Sequence, residues 1–524
     1  MNRIIYSVLA IIVLSYFSSP LHSEAQAAII RVPADRLTIQ AGIDASSNGD
    51  TVLVSDGIYT GPGNVNLDFG GKAITVRSEN GAANCIIDCE GNGRGFFFHS
   101  GEGETSVLSG FTITNGTVLG DELSDNSGGG IYCGGSSPTI ASNVITNNFA
   151  SNSGGGIFCI ESSATIINNT ITNNRAIGTG GGGICCWQAS PIIDQNIITS
   201  NSVIHNGGGI LCFDNSSPSI TNNTISHNSA NWGGGIRCYW GGGSPVIINN
   251  KIFGNSAIAG GGIACGWLGD NVAIGPSLVI ANNIIYNNSA PREGGGIGCE
   301  NSSPTIINNT IINNSGGISL RVNASPKILN VIVWRNPPRE IDTDGTSIVN
   351  ITYSNIQGGL EGEGNINAYP WFVDATNGNY RLRDYSPCIG SGILTPSMPS
   401  TDIEDSPRPN PPGSNPDLGA YENSRSEPLP LLPISVTIQS SLDSLLADGE
   451  STSTITITLK DDEGNFWSGL PIQVKVARGK LSDINDNGDG TYTAIYTAST
   501  DSGAETIDVS VLKFSGTKDI TTRK

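Results

Sequence analysis

The chain has little of what most catalytic and most helical proteins are built from. Of its 524 residues only 4 are histidine and 2 methionine, and aromatic residues make up 6%. After the apolar stretch Ile4 to Phe17 no run approaches the length of about 18 apolar residues that reads as a membrane-spanning helix. Basic residues are scarce, 26 Lys and Arg against 46 Asp and Glu, and the net charge is −20. That sign argues against nucleic acid and anionic membrane as partners. It also disfavours polyanionic substrates unless calcium or a local basic patch intervenes, and no cofactor other than such a calcium is expected. His99, His205 and His227 stand isolated and read as surface imidazoles, so no metal-ligand pattern emerges.

What the chain does have is glycine, 69 residues of it, and much of it is periodic. Gly-Gly-Gly-Ile-x-Cys occurs seven times between Gly128 and Cys299, anchored by Ile131, Ile157, Ile184, Ile210, Ile236, Ile263 and Ile297, with a period of 26 or 27 residues except for a longer last step. A period in this range means a solenoid. The unit shows no helical periodicity and is rich in β-branched residues separated by Gly, Asn and Ser, so it consists of short strands and turns. Three apolar columns recur: the motif Ile, the Ile at 140, 166, 192, 220, 247, 280 and 306, and the Ile at 145, 171, 197, 225, 252, 285 and 311. Three inward residues per unit predict an all-β, three-faced parallel β-helix with coils about 4.8 Å apart. The pairs Asn168-Asn169, Asn222-Asn223, Asn249-Asn250, Asn282-Asn283 and Asn308-Asn309 fall where side-chain parity flips between columns. A left-handed Asn with its amide bonded along the stack suits that corner.

Arg3, the run Ile4 to Phe17 and Ala25-Gln26-Ala27 read as a secretory signal peptide over 1–27, cut after Ala27. The mature chain is then expected to be secreted or held at a bacterial cell surface, without a transmembrane segment and as a monomer. Export invites a disulfide framework for the 11 cysteines. Seven of them, however, share one column two residues after the inward Ile, and stacked Cβ atoms near 4.8 Å are farther apart than a disulfide prefers, roughly 3.5 to 4.5 Å. A buried thiol ladder follows. Cys85 and Cys89 are expected to form a local bridge, while Cys185 and Cys388 have no evident partner.

Composition divides the remainder. Residues 28–125 read as an N-terminal cap and first coils, with a short helix over 37–45; 126–335 are the regular repeats; 336–425 are the last coils and a C-terminal cap. Residues 426–434 form a Pro/Leu-rich linker, and the alternating strands of 435–524 an Ig-like β-sandwich. The opening Ile39-Gln40-Ala41-Gly42-Ile43-Asp44-Ala45 and Asn48-Gly49-Asp50-Thr51-Val52-Leu53-Val54 resemble right-handed parallel β-helix proteins of the pectin-lyase-like superfamily. So does the closing stretch from Tyr353-Ser354-Asn355-Ile356 to Asp417-Leu418-Gly419-Ala420-Tyr421. Asn288-Ser289-Ala290 before Gly294-Gly295-Gly296-Ile297 resembles the repeats of polymorphic outer-membrane autotransporter adhesins. Ala447-Asp448-Gly449, Val474-Lys475-Val476 and Asp486-Asn487-Gly488-Asp489-Gly490-Thr491-Tyr492 resemble the bacterial Ig-like domain of the invasin and intimin type.

Of the catalytic strings that the superfamily resemblance would imply, Asn-Thr-Asp, Asp-Asp, Gly-His-Gly and Arg-Ile-Lys, only Asp461-Asp462 occurs, and it lies outside the coils. One surface stands out instead. The residue after the ladder cysteine points outward and reads Ile160, Trp187, Phe213 and Tyr239; the next reads Glu161, Gln188, Asp214, Trp240 and Trp267. The turn that follows lengthens from 7 residues after Cys133 to 9 after Cys238 and 15 after Cys265, and insertions on one face of a solenoid commonly mark its binding face. Trp187, Phe213, Tyr239, Trp240 and Trp267 are therefore ligand-binding candidates, suited to the faces of a polysaccharide or cell-surface glycan. Glu161 and Asp214, two coils or about 9.6 Å apart, are the candidate catalytic carboxylates. Three readings follow: a surface or matrix protein that presents a recognition face, a polysaccharide lyase or glycoside hydrolase, and a structural envelope component without a soluble ligand.

Overall fold

A computed structural model describes residues 27–239, 241–266, 278–429, 434–461, 464, 466–511 and 514–523. Residues 1–26 of the predicted signal peptide, Trp240 and Trp267 and part of the predicted linker lie outside these residues. Each repeat supplies three strands that stack in parallel on the next repeat. Among the described residues they build a 10-stranded sheet I containing Ile131–Gly134, a 13-stranded sheet II containing Thr139–Ala141 and a 12-stranded sheet III containing Val144–Thr146. The inward columns Ile131, Ile157 and Ile184; Ile140, Ile166 and Ile193; and Ile145, Ile171 and Ile198 are in register and fully buried.

In one coil the expected inward residues are corrected. Ile193 and Ile198 face the core, while Ile192 and Ile197 are 48% exposed. The step from Ile157 to Ile184 carries the additional residue of a 27-residue unit, so the second isoleucine of each Ile-Ile pair falls in register with Ile166 and Ile171.

The corners divide the work expected of one asparagine between two. The first of each pair is left-handed, as at Asn168 (φ 56°), Asn222 (φ 56°) and Asn249 (φ 59°). That turn sends the second into the stack. In a ladder that starts at Asn143, each Oδ1 of Asn169, Asn196, Asn223, Asn250, Asn283 and Asn309 accepts from the backbone N–H and the Nδ2 of the Asn one coil earlier. A second ladder with the same bonding, from Asn148 to Asn336, runs along the corner after sheet III. These amides answer the backbone polar groups that every turn leaves behind.

The glycine triplet is set by close approach. A Cβ on Gly155 would lie 2.6 Å from the carbonyl oxygen of Gly182, and one on Gly182 the same distance from that of Gly208. No larger residue fits between coils at this spacing. All 11 cysteines are free and buried, and the seven-membered column stacks in register from Cys133 to Cys299. The expected bridge between Cys85 and Cys89 does not form: Cys85–Asp88 is a strand, and four extended residues separate the two positions by about 13 Å. Burial pushes both thiols up to about 12.

The N-terminal end of the bore is closed by the helix Ile39–Ala45, whose Thr38 hydroxyl accepts from the Ala41 N–H. At the other end the segment from Phe372 to Tyr421 lies along the outside of sheet III, packing Phe372, Tyr380, Leu382, Leu418 and Tyr421 on Ile284, Ile312, Ile332 and Trp334. Inside this segment Arg408 and Glu422 form a fully enclosed ion pair at 2.7 Å, beside Asp402 and Asp417. Burial, reinforced by Glu422, raises the Asp417 carboxyl to about 8. A folded-state value above the unfolded one stabilises the protonated form. The stability this group gives the cap is therefore complete below about pH 4 and is lost as pH rises from there to about 8, by up to about 1.4 kcal/mol per unit for one proton. Faster proteolysis of 380–425 at pH 9 than at pH 5, after correction for protease activity, is the expected result, and Asp417→Asn should flatten the difference.

The C-terminal domain is a sandwich of antiparallel-dominated sheets built from strands including Ile434–Ser440, Thr452–Asp461, Thr491–Thr497, Gly503–Val511 and Phe514–Arg523, around Ile455, Ile457, Tyr492, Tyr496 and Ile507. It is seated on the cap. Trp467 meets Trp371 edge-on at 4.8 Å, Arg383 lies 5.1 Å over the Trp467 ring, and both Arg335 and Tyr369 donate to the Gly469 carbonyl.

Candidate functional site

Strand alternation in sheet I turns two columns of side chains away from the bore. The first is the x position of the repeat, in register through Phe97, Tyr132, Phe158, Cys185, Leu211, Arg237, Ala264, Gly298, Ser319 and Asp342. The second follows the ladder cysteine: Gly134, Ile160, Trp187, Phe213 and Tyr239, then Gly266, Glu300 and Arg321. Along the rod this face changes from aromatic to small to charged.

The aromatic half holds three of the predicted binding residues. Trp187 meets Phe213 at 4.8 Å and Phe213 meets Tyr239 at 4.9 Å, continuing a ring series from Tyr132 and Phe158. These side chains form a packed cluster of their own, in which Phe213 and Tyr239 are only 8% and 6% exposed. Trp187 is half-buried and is the member of the three that offers surface. Burial raises the Tyr239 hydroxyl to about 12. Glu161 and Asp214 occupy the left-handed turn position just beyond, Glu161 exposed and Asp214 half-buried. Gln188 stands between them and donates to Asp214 Oδ2 at 2.7 Å. Trp240 and Trp267 belong to the same row and lie outside the described residues.

The charged half was not anticipated. Arg237 is 2% exposed, stacks 5.1 Å over the Tyr239 ring and donates from Nη2 to the Gly266 carbonyl at 2.5 Å. Its Nε has no hydrogen-bond partner among the described residues, and neither has the Oγ of Ser319, 1% exposed in the same column. Burial lowers the Arg237 guanidinium from its ordinary value, with Glu300 opposing the shift. Burial raises the Glu300 carboxyl, against the pull of Arg237. Between Arg237 and Ser319 this column carries only Ala264 and Gly298. At the far end Arg321 pairs with Glu293 and Asp342, Arg339 donates to Asp342 at 3.1 Å, and a cavity of about 320 Å³ opens among Glu293, Ser319, Arg339 and Asp342. Of the two open polar atoms, Ser319 Oγ borders this cavity, and a buried polar atom left open beside a cavity of ligand size makes a candidate recognition site.

A signal for this half was present in the sequence. Read down the repeats, x is Tyr, Phe, Cys, Leu, Arg, Ala and Gly, and a single arginine in an otherwise uncharged column marks the change. Among the described residues no cluster of His, Cys, Asp and Glu is arranged to hold a metal ion, and no helix is long and apolar enough to cross a membrane.

Comparison with known proteins matches both halves of the chain. Residues 109–275 fit the family model of the right handed beta helix region, and residues 433–523 that of invasin, domain 3. The chain thus joins a right-handed parallel β-helix to an Ig-like domain of the invasin type. Among solved structures, the adhesin InvE of Yersinia pseudotuberculosis is similar at 27% identity over 17% of this chain and 26% of its own, with a TM-score of 0.16. Invasin, a bacterial integrin-binding protein, is similar at 30% identity over 17% of this chain and 20% of its own, with a TM-score of 0.16. The PL6 family alginate lyase AlyGC aligns over 67% of this chain and 55% of its own at 14% identity, with a TM-score of 0.37. The chain therefore spans about a quarter of the adhesin's length and a fifth of invasin's.

Proposed function

We propose that this is an exported surface protein that recognises a glycan chain laid along the outer face of sheet I, with the invasin-type domain fixed as a rigid extension beyond the cap. The observation that carries the reading is a pair of buried polar atoms without partners on this face, Arg237 Nε and, bordering the cavity of about 320 Å³, Ser319 Oγ. Hydroxyl and carbonyl oxygens of a sugar chain would complete them, and Trp187 extends the same face toward the N-terminus. Hydrogen bonds to a charged group are worth about 1.5 to 3 kcal/mol, so Arg237→Leu is expected to weaken binding about 10- to 100-fold. A glycan array with the full chain, followed by calorimetry on the hits, measures this. Binding that is indifferent to Arg237→Leu, or no glycan binding at all, would sink the proposal.

One observation favours a second reading, cleavage of the bound glycan. Glu300 keeps its proton more readily than an ordinary glutamate and sits in the field of a fixed arginine, which is the environment of a general acid or base. Release of unsaturated or reducing-end sugars that disappears with Glu300→Gln would establish it, while Glu300→Gln that still binds and shows no altered product leaves recognition alone.

A further inference from the structure

Sheet III carries a second outward column, away from the face just described. In register it reads Thr146, Thr172, Thr199, Ser226, Phe253, Tyr286, Ile312 and Trp334. The change from hydroxyl to aromatic coincides with the place where the cap folds alongside. Phe253 and Tyr286 stack with centroids 4.8 Å apart and planes 16° from parallel, His227 meets Phe253 edge-on at 5.6 Å, and Tyr286 meets the cap's Tyr380 at 5.4 Å. The separation of 4.8 Å is the spacing of adjacent coils, so the two rings continue the column as a ladder. Phe253 and Tyr286 are half-buried and His227 is exposed.

Where this ladder ends, a cavity of about 530 Å³ lies between sheet III and the cap. Tyr286 and Tyr380 line it together with the polar Asn287, Asn313, Arg335 and Asn377. Asn287, Asn313 and Arg335 are consecutive left-handed corner residues (φ 53°, 55° and 55°), a conformation that projects their side chains in a row. Aromatic rings beside a row of amides suit a molecule with one C–H face and a rim of hydroxyls. The one charged lining residue, Arg335, is already bonded to the Gly469 carbonyl, and the net charge of the whole chain disfavours a polyanion.

We propose that this cavity is a binding site for the end of a neutral oligosaccharide, one pyranose seated against Tyr286 between Asn287 and Asn313 and the next resting on Phe253. The ligand class rests on the reading of the rod as a glycan-recognising protein; the site does not, since it shares no residue with the charged half of sheet I or the cavity beside it.

Phe253→Thr and Tyr286→Thr are suitable variants because Thr occupies the same register position at 146, 172 and 199, so the coil tolerates it. The full chain is titrated with cellohexaose, xylohexaose and mannohexaose by calorimetry, with oligogalacturonate as the charged comparison. The expected result is binding of at least one neutral hexaose, weakened at least tenfold by Tyr286→Thr and by Phe253→Thr, unchanged by Arg237→Leu, with the far-ultraviolet circular dichroism of each variant like that of the parent. Should Tyr286→Thr fold poorly, Asn287→Ala, at an exposed position, gives the same reading. Neutral hexaose binding lost with Arg237→Leu and kept with both Thr variants overturns this site and supports the one on sheet I. Binding of the charged oligosaccharide only, or of none of the probes, overturns it as well.

Discussion

Asn228→Ala is expected to cost the β-helix about 4 kcal/mol or more, at the upper end of what single substitutions do. Asn228 is fully buried in the middle of the second ladder. Its Oδ1 accepts from the N–H and Nδ2 of Asn201, and its Nδ2 donates to the Ile198 carbonyl and to Asn255 Oδ1. Alanine removes four hydrogen bonds to the two neighbouring coils, each worth about 1 kcal/mol; Asn201 Nδ2 keeps the Ile171 carbonyl and Asn255 Oδ1 keeps the Asn228 N–H, while the Asn201 N–H loses its acceptor. Because contacts in a solenoid reach only the adjacent coils, the loss should appear first as local opening around residues 198–255. Urea unfolding followed by circular dichroism, with hydrogen exchange to locate the opening, measures both. A loss below about 1 kcal/mol would mean that the stranded groups find water, and the ladder would then be an ornament of the corner instead of its support.

The second large effect is at the junction. Trp467→Ala should destabilise the Ig-like domain by about 3 to 5 kcal/mol and at the same time free it from the cap. The indole is 4% exposed, belongs to the domain's own core, and is also the surface on which Trp371, Tyr385 and Arg383 rest. Truncation therefore leaves a cavity that opens onto the interface. Small-angle scattering should change from one rigid elongated particle to two bodies joined by a tether, and cleavage within 426–434 should accelerate. Trp371→Ala separates the two consequences, since it removes the cap's partner while leaving the indole in the domain: release without the full loss of stability is expected. Retention of the rigid profile by both variants would assign the junction to Arg335 and Tyr369 on Gly469 alone.

The architecture was readable because its determinants repeat. One isoleucine or glycine is ambiguous, but seven in step fix the coil, its three faces and the inward thiols. Reading failed where a unit offered two equivalent choices, as at Ile192-Ile193 and Ile197-Ile198, where only the pairing register decides. The second ladder was overlooked because Asn174, Asn201 and Asn228 follow Asn173, Ser200 and His227, and no doubled Asn marks the corner in two of those three coils. The charged half escaped because attention fell on the column after the cysteine, while Arg237 and Ser319 belong to the column before it. Contacts between distant segments left no local trace: Tyr369 and Gly469 are 100 residues apart, and nothing near either position announces the other. The aromatic ladder of sheet III was visible as a change from Thr to Phe and Tyr down one column, but its neighbour Tyr380 comes from the cap.

Every coil in the regular block finds its hydrogen-bond partners in the coil on either side, through the same two asparagines and the same three glycines. A whole turn of 26 or 27 residues can thus be excised or duplicated with the cut ends meeting an identical surface, and the molecule shortens or lengthens by about 4.8 Å without refitting its interior. The distance between the N-terminal helix and the distal module is in this sense a ruler with evenly spaced marks.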